Sequence, residues 1–419
     1  MRKLTMIAVF MTLVLLLFGC AGVSNPDEPA PDPMPTDPPP VVQPAPEPTP
    51  APAPAPAEAF KDITAAELIA GVRAGWNLGN TLDTAGNSAA GYSWLGGGRY
   101  ETTSVMEMET AWGNPYTTKE NIEALKNAGF NALRIPVTWY KALDAENNIR
   151  EDFMARVKEI VDYAVEYDLY IFLNTHHDEA YIKLMDDTVE ESKPVLARVW
   201  EQIADEFKDY SEKLVFEGMN EPRTRGSRNE WSGGTAEEHR NLNALNQVFV
   251  DTVRKTGGFN DKRILLIPTY AASASDAAQK ALTIPNDTVK DKIIVSIHAY
   301  APWEFALRTG SGSVDTWSKD KPADTNPITH MLDLAHDLFV SKGVPVLMGE
   351  MGAMNRNNVE ARVEWAEFYF GYARSKGIPC IWWDNGVVSG DGELFGILDR
   401  RTNQFVFPEI VDAIMRATG

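Results

Sequence analysis

From Phe60 onward, short apolar runs alternate with stretches in which apolar residues recur every three or four positions. The runs are GWNLGN (75–80), FNALRIPV (130–137), LYIFLNTHH (169–177), KLVFEGMNEP (213–222), RILLIPTY (263–270), IIVSIHAY (293–300), VPVLMGEMG (344–352) and PCIWWDNG (379–386). They lack strict polar alternation, which suits strands covered on both faces, as in a parallel sheet. The intervening segments have helical period. In EDFMARVKEIVDYAVEYD, residues Phe153, Val157, Ile160, Val161, Ala164 and Val165 fall on one stripe. SKPVLARVWEQIADEF and NNVEARVEWAEFYFGYARSKG read likewise, the second stopping at Gly377. Eight repeats of strand then helix predict an α/β fold over 59–419, a (β/α)8 TIM barrel whose chemistry sits at the C-terminal strand ends. An open doubly wound sheet is the competing arrangement, weakened because no Gly-rich phosphate loop follows the first strand.

The segment ahead of the barrel has a different character. Residues 21–58 are dominated by proline, cannot bury a core, and favour extended polyproline II geometry, a semi-rigid spacer of about 3 Å per residue. Residues 1–20 read as an export signal: Arg2 and Lys3 precede the apolar run MIAVFMTLVLLLF, too short for a comfortable membrane span. Leu17-Phe18-Gly19-Cys20 resembles a bacterial lipoprotein cleavage box with Cys20 as the lipidated residue. The expectation is a secreted or cell-surface protein held by a lipid anchor; the alternative is cleavage nearby and free release. The only other cysteine, Cys380, lies in an apolar run, so no disulfide framework is expected. A formal charge of −20 argues against nucleic acid and against anionic membrane surfaces, and leaves the lipid as the one membrane contact. A neutral polymer fits that charge.

Polar residues gather at the strand ends: Asn77 and Asn80, Arg134, His176 and His177, Asn220 and Glu221, His298 and Tyr300, Glu350, Trp382 and Trp383. Glu221 is expected to end the fourth strand and Glu350 the seventh. A single strand-end glutamate is explained as well by a structural ion pair as by catalysis. Two of them in one pocket match the needs of glycosidic hydrolysis, one carboxyl to protonate the leaving oxygen and one carboxylate facing the anomeric carbon. A metal site built from His176, His177, Asp178 and Glu179, with His298 as a third imidazole, is the competing enzymatic reading. The paired glutamates account for more of the residues. His239, His330 and His336 fall in helical stretches and read as surface or packing residues.

NEP after strand four, a Glu after strand seven, RIPV, HH and HAY together resemble glycoside hydrolase family 5, the large cellulase family, from Phe60 to Gly419. GWNLGNTLDT, ETAWGNP, FEGMNEPR, SIHAYAPWEFA and WWDNG are most similar to its bacterial endoglucanase branch, which acts on β-1,4-glucans including xyloglucan and mixed-linkage glucan. The resemblance implies an endo-acting, retaining enzyme that needs no cofactor and no metal, takes a β-glucan polysaccharide or oligosaccharide as partner, and is expected to act as a monomer. It makes Glu221 the acid/base, with a raised pKa, and Glu350 the nucleophile, kept ionised by Arg134 and the Tyr300 hydroxyl. Asn220 would bond the sugar 2-hydroxyl, His298 would orient Glu221 or the sugar, and His176, His177 and Asn80 would contact substrate. Trp383 would form the sugar platform, with Trp382 pointing the other way by alternation. Trp112, Trp303 and Trp94 are candidates for outer subsites, although packing explains each equally well. A mannanase or xylanase on the same barrel, and a cell-surface glycan-binding protein, are the alternatives.

Overall fold

A computed structural model of the chain describes residues 60–85 and 103–419; the signal with Cys20, the spacer and Trp94 lie outside the described residues. All eight apolar runs become strands: β1 (Ala74–Leu78), β2 (Ala132–Ile135), β3 (Tyr170–Asn174), β4 (Leu214–Glu217), β5 (Leu265–Ser273), β6 (Ile293–His298), β7 (Val346–Met351) and β8 (Cys380–Asp384). Each pairs in parallel with the next, and β8 returns to β1 with Trp76 opposite Trp382, closing a (β/α)8 barrel. The helices that cover it are, in chain order, α1 (Ala65–Gly71), α2 (Val105–Thr110), α3 (Lys119–Asn127), α4 (Glu151–Glu166), α5 (Val189–Glu206), α6 (Ala236–Lys255), α7 (Asp276–Ala281), α8 (Trp303–Ala306), α9 (Pro322–Leu338), α10 (Val359–Ser375) and α11 (Pro408–Thr418).

Alternation along the strands divides the core in two. One face packs Leu133, Ile171, Phe216, Ile267, Val295, Met348 and Trp382 against the surrounding helices. The other fills the barrel floor with Ala132, Phe172, Val215, Leu266, Ile294, Leu347 and Ile381, and α1 plugs that end with Leu68 and Ile69. On β1 the floor position is Gly75, where a Cβ would lie 2.9 Å from the Ile381 side chain. Two residues further along, the same inner face carries Asn77, Arg134, Asn174, Glu217, Ser296 and Trp383. The barrel therefore changes from an apolar floor to a polar upper layer within one step of the pleat.

Two sequence expectations need correction. Val165 is 45% exposed, and the buried stripe of α4 takes in Arg156 instead. Arg156 has left the solvent because Glu109 pairs with it at 2.8 Å and its guanidinium lies 3.6 Å from the Tyr116 ring centroid. Glu221 does not end β4; the strand stops at Glu217. At Gly218 the chain runs so close to Phe249 of α6 that a Cβ would sit 2.6 Å from the ring, and beyond it the backbone leaves the sheet. The next stretch is held from both sides, by the Asn220 N–H donating to Thr175 at 2.8 Å and by the Ala271 N–H donating to Pro222 at 2.9 Å. Ala271 and Ala272 pay for that second contact with φ of +52° and +45°, a strained conformation for alanine of the kind that clusters at functional sites.

Candidate active site

The upper layer converges on Arg134. Its Nε and Nη2 donate to the two oxygens of Glu217 at 2.7 and 3.1 Å, and Nη2 also donates to Asn220 Oδ1 at 2.7 Å. Nη1 donates to Asn77 Oδ1 at 3.0 Å and to Glu350 Oε1 at 2.7 Å. Neither Arg134 nor Glu217 has any exposed side-chain surface. Burial disfavours the charged guanidinium, but Glu217 and Glu350 more than offset it and push its pKa up. Glu217 escaped the sequence reading because one acid inside a strand looks incidental; the signal was its position two residues after Val215, on the inner face.

Glu350 lies within β7, where His298 of β6 is its register partner. Its second oxygen accepts the Tyr300 hydroxyl at 2.9 Å, and Tyr300 is braced by Phe395 at 5.2 Å between ring centroids. Both oxygens of Glu350 therefore receive donors. Asn220 uses its Oδ1 on Arg134, and its amide nitrogen has no partner among the described residues.

Glu221 lies opposite. Its Oε1 is 3.0 Å from His298 Nδ1, and that nitrogen is 3.7 Å from Glu350 Oε1. One oxygen of each glutamate and the His298 nitrogen all fall within 4.8 Å of one another. Carboxyl groups about 5 Å apart suit double displacement, whereas inversion needs roughly 6.5–9.5 Å to admit a water. The expected rise in the Glu221 pKa is reversed here. Burial pushes it up, but the hydrogen bond and charge of His298, then the charges of Arg223 and His177, outweigh burial and lower it. The second carboxylate and the apolar surroundings are visible in the sequence, whereas these cations come from segments the sequence pattern does not bring together.

The remaining candidates divide. Trp383 is nearly buried, its ring parallel to that of His176 at 5.8 Å, so the two form one wall of the pocket. His176 Nδ1 faces the Asn174 amide at 3.1 Å, and burial, followed by the charges of His177 and Arg134, holds the ring neutral. Trp382 turns away, as alternation required: its Nε1 donates to Phe395 at 3.1 Å and its ring meets Trp365 edge-on. Asn80 sits beyond β1 at φ +55°, its backbone N–H on Asp83 and its carbonyl on Asn114, both at 2.9 Å. The Trp112 ring is 5.8 Å from that of His177, beside the pocket. Trp303 is half exposed at the start of α8, with Arg308 4.9 Å from its ring centroid. Sequence reasoning missed Trp231, which is 65% exposed on the loop after Glu221 with the Arg223 guanidinium 4.5 Å from its ring centroid.

Three of the metal reading's ligands are taken by protein partners, while His176 and His177 group instead with Asp83, their ligand atoms within 4.8 Å of one another, and Asp83 already accepts the N–H groups of Asn80 and Thr81 at 2.9 and 2.6 Å. Asp178 accepts the N–H groups of Trp139 and Tyr140 at 3.3 and 2.7 Å, its pKa raised by burial to about 7. Glu179 Oε1 lies 3.3 Å from Arg223, and His298 Nδ1 belongs to Glu221. Outside the site, His239 meets the Gly233 carbonyl, while His330 and His336 pair with surface aspartates.

Residues 97–389 match the cellulase family, glycosyl hydrolase family 5. The chain is 42% identical over 354 residues to endoglucanase A of Clostridium longisporum, covering 84% of this chain and 66% of that relative. Its fold superposes with a TM-score of 0.80 on a broad-specificity endoglucanase of Ruminococcus champanellensis holding cellotriose, at 40% identity over 85% of this chain and 100% of that one. A xyloglucan-specific endo-β-1,4-glucanase from a metagenomic library, also with cellotriose, gives 0.76 at 41% identity over 84% and 98% of the two chains.

If Arg134 and Glu217 anchor the upper layer, Glu217→Gln should lower the unfolding free energy by about 3 kcal/mol, because it leaves a buried guanidinium short of one counter-charge. Urea denaturation followed by tryptophan fluorescence reads this directly. A stability equal to wild type would show that the pair is not an anchor.

Proposed function

The chain belongs to glycosyl hydrolase family 5, and from that premise we propose that it cuts β-1,4-glucan within the chain, with retention of configuration. The observation that carries this is the approach of Glu221 and Glu350 to within 4.8 Å, with donors on both oxygens of Glu350. A glucan lies across the barrel mouth with one sugar on the Trp383 face, where C–H groups meet the ring and hydroxyls meet polar groups at its edge. Glu350 attacks the anomeric carbon while Glu221 protonates the departing glycosidic oxygen, and a glycosyl ester forms on Glu350. Water then attacks that carbon, Glu221 takes its proton, and Glu350 leaves as carboxylate. The free Asn220 amide reaches the 2-hydroxyl, a contact that tightens as positive charge grows on the sugar ring. Neutral His176, with His177 and Asn80, bonds further hydroxyls.

The cellotriose held by two similar enzymes, one of broad specificity and one xyloglucan-specific, supports cellulose-type backbones, including mixed-linkage glucan and xyloglucan, as substrates. Trp112 and Trp303 extend the stacking surface to outer sugars. The enzyme acts as a monomer. We further propose that it is exported and held at a bacterial membrane through a lipid on Cys20, with residues 21–58 as spacer; the charged start, apolar run and cysteine support this.

Proton NMR during early hydrolysis of a soluble β-glucan should show the β-anomer of the new reducing end first, and Glu350→Gln should cut at less than about one thousandth of the wild-type rate. An α-anomer first, or an active Glu350→Gln, contradicts the mechanism. Intact mass of membrane-extracted protein checks the anchor: a diacylglyceryl increment on Cys20 is expected, and an unmodified cysteine defeats it.

A further inference from the structure

Arg223 stands two residues beyond Glu221. Its Nη1 donates to the Glu221 backbone carbonyl at 2.8 Å and lies 3.7 Å from the carboxylate. A permanent cation so near a general acid favours the ionised form, the wrong form for donating a proton. Two acids answer it. Glu230 accepts Arg223 Nε at 3.1 Å and the Gly226 N–H at 2.7 Å, which folds the loop they share. Glu179 comes from a different segment, the loop after β3, and is largely buried. Its Oε1 lies 3.3 Å from Arg223 and 3.9 Å from both His177 and Arg225. Arg223 and His177 are two of the cations that press Glu221 downward, and Glu179 sits against both.

We infer that Glu179 is a positioning residue for the acid/base: it neutralises Arg223 and holds the guanidinium on the Glu221 carbonyl, so that Glu221 keeps a transferable proton. The charges around Glu221 come from every side of the barrel mouth. His298 and Tyr300 face it from β6 and the loop beyond, Glu350 from β7, His177 from the β3 loop, and Arg223 from its own loop. Glu393, in the loop after β8, is raised by desolvation and by the charges of Glu350 and Glu221. Glu179 in turn faces His177, Arg223, Arg225 and Asp178. Its own pKa falls to about 2: burial opposes this, but the interaction with His177 at 3.9 Å, then the charge of Arg223, prevail. It is therefore a fixed anion over the working pH range. Removing that anion leaves the permanent Arg223 charge uncompensated beside Glu221, so Glu221 ionises at lower pH and the alkaline limb of activity moves down; His177, whose charge Glu179 itself favours, adds nothing to that shift.

The inference rests on the proposed roles of Glu221 and Glu350, and the test separates the two. The kcat/KM profile against pH is measured for wild type and Glu179→Gln on a cello-oligosaccharide and on dinitrophenyl β-cellobioside, whose leaving group departs without a proton. On the oligosaccharide the alkaline limb should fall by about one pH unit, a loss of about tenfold on that limb. On the aryl substrate kcat/KM should stay within about twofold, since acid assistance is not needed. Glu179→Asp keeps the charge and should hold the limb near its wild-type position; it carries the test alone if Glu179→Gln fails to fold. An unmoved limb in Glu179→Gln, equal losses on both substrates, or a displaced limb in Glu179→Asp would overturn the inference. A wild type that cuts neither substrate would instead overturn the assignment of the two glutamates.

Discussion

One buried cation organises the upper half of this barrel. Arg134 has no exposed surface and bonds residues from β1, β4, the segment beyond β4, and β7. Burying a guanidinium is costly unless charge and hydrogen bonds meet it from every side. Glu217 supplies a bidentate carboxylate, Glu350 one oxygen of a second, and Asn77 and Asn220 supply neutral acceptors. Because each partner stands on a different part of the chain, satisfying Arg134 fixes the strand tops relative to one another. The same contacts hold Glu350 and the Asn220 side-chain oxygen, so stability and chemistry draw on one network.

The second glutamate lives under a different regime. Glu350 is gripped inside the barrel wall, whereas Glu221 projects from an irregular segment held by Thr175, Ala271 and Arg223. Strained Ala271 of β5 donates to the Pro222 carbonyl just after Glu221. Rigid placement of the nucleophile and tunable surroundings for the acid/base are what a two-step displacement asks for, since only Glu221 must change protonation state in each step. The cations around it favour its ionised form, and the acids behind Arg223 limit how far the proton is withdrawn.

Much of this was legible before any coordinates. Doubly covered strands leave continuous apolar runs, so all eight were visible, and the inner face could be tracked by twos from Trp383 to its outward neighbour Trp382. What failed did so for local reasons. Glu217 was invisible because its meaning depends on Arg134, 83 positions earlier in the chain. Arg156 replaced Val165 in the α4 stripe because a partner from α2, Glu109, makes an arginine cheaper to bury than periodicity implies. The protonation of Glu221 could not be read because its cations arrive from β3, β6 and a loop whose course no sequence pattern specifies. Trp231 lies on that same loop.

The central claim is that Glu350 becomes covalently bonded to sugar while Glu221 handles the proton. Incubation with a 2-deoxy-2-fluoro-β-cellobioside carrying a good leaving group, followed by mass mapping of the digested protein, tests it most directly, because fluorine slows release of the intermediate. The account predicts a single fluorocellobiosyl adduct on the peptide holding Glu350. An adduct on Glu221, or full turnover with no trapped ester, would contradict it.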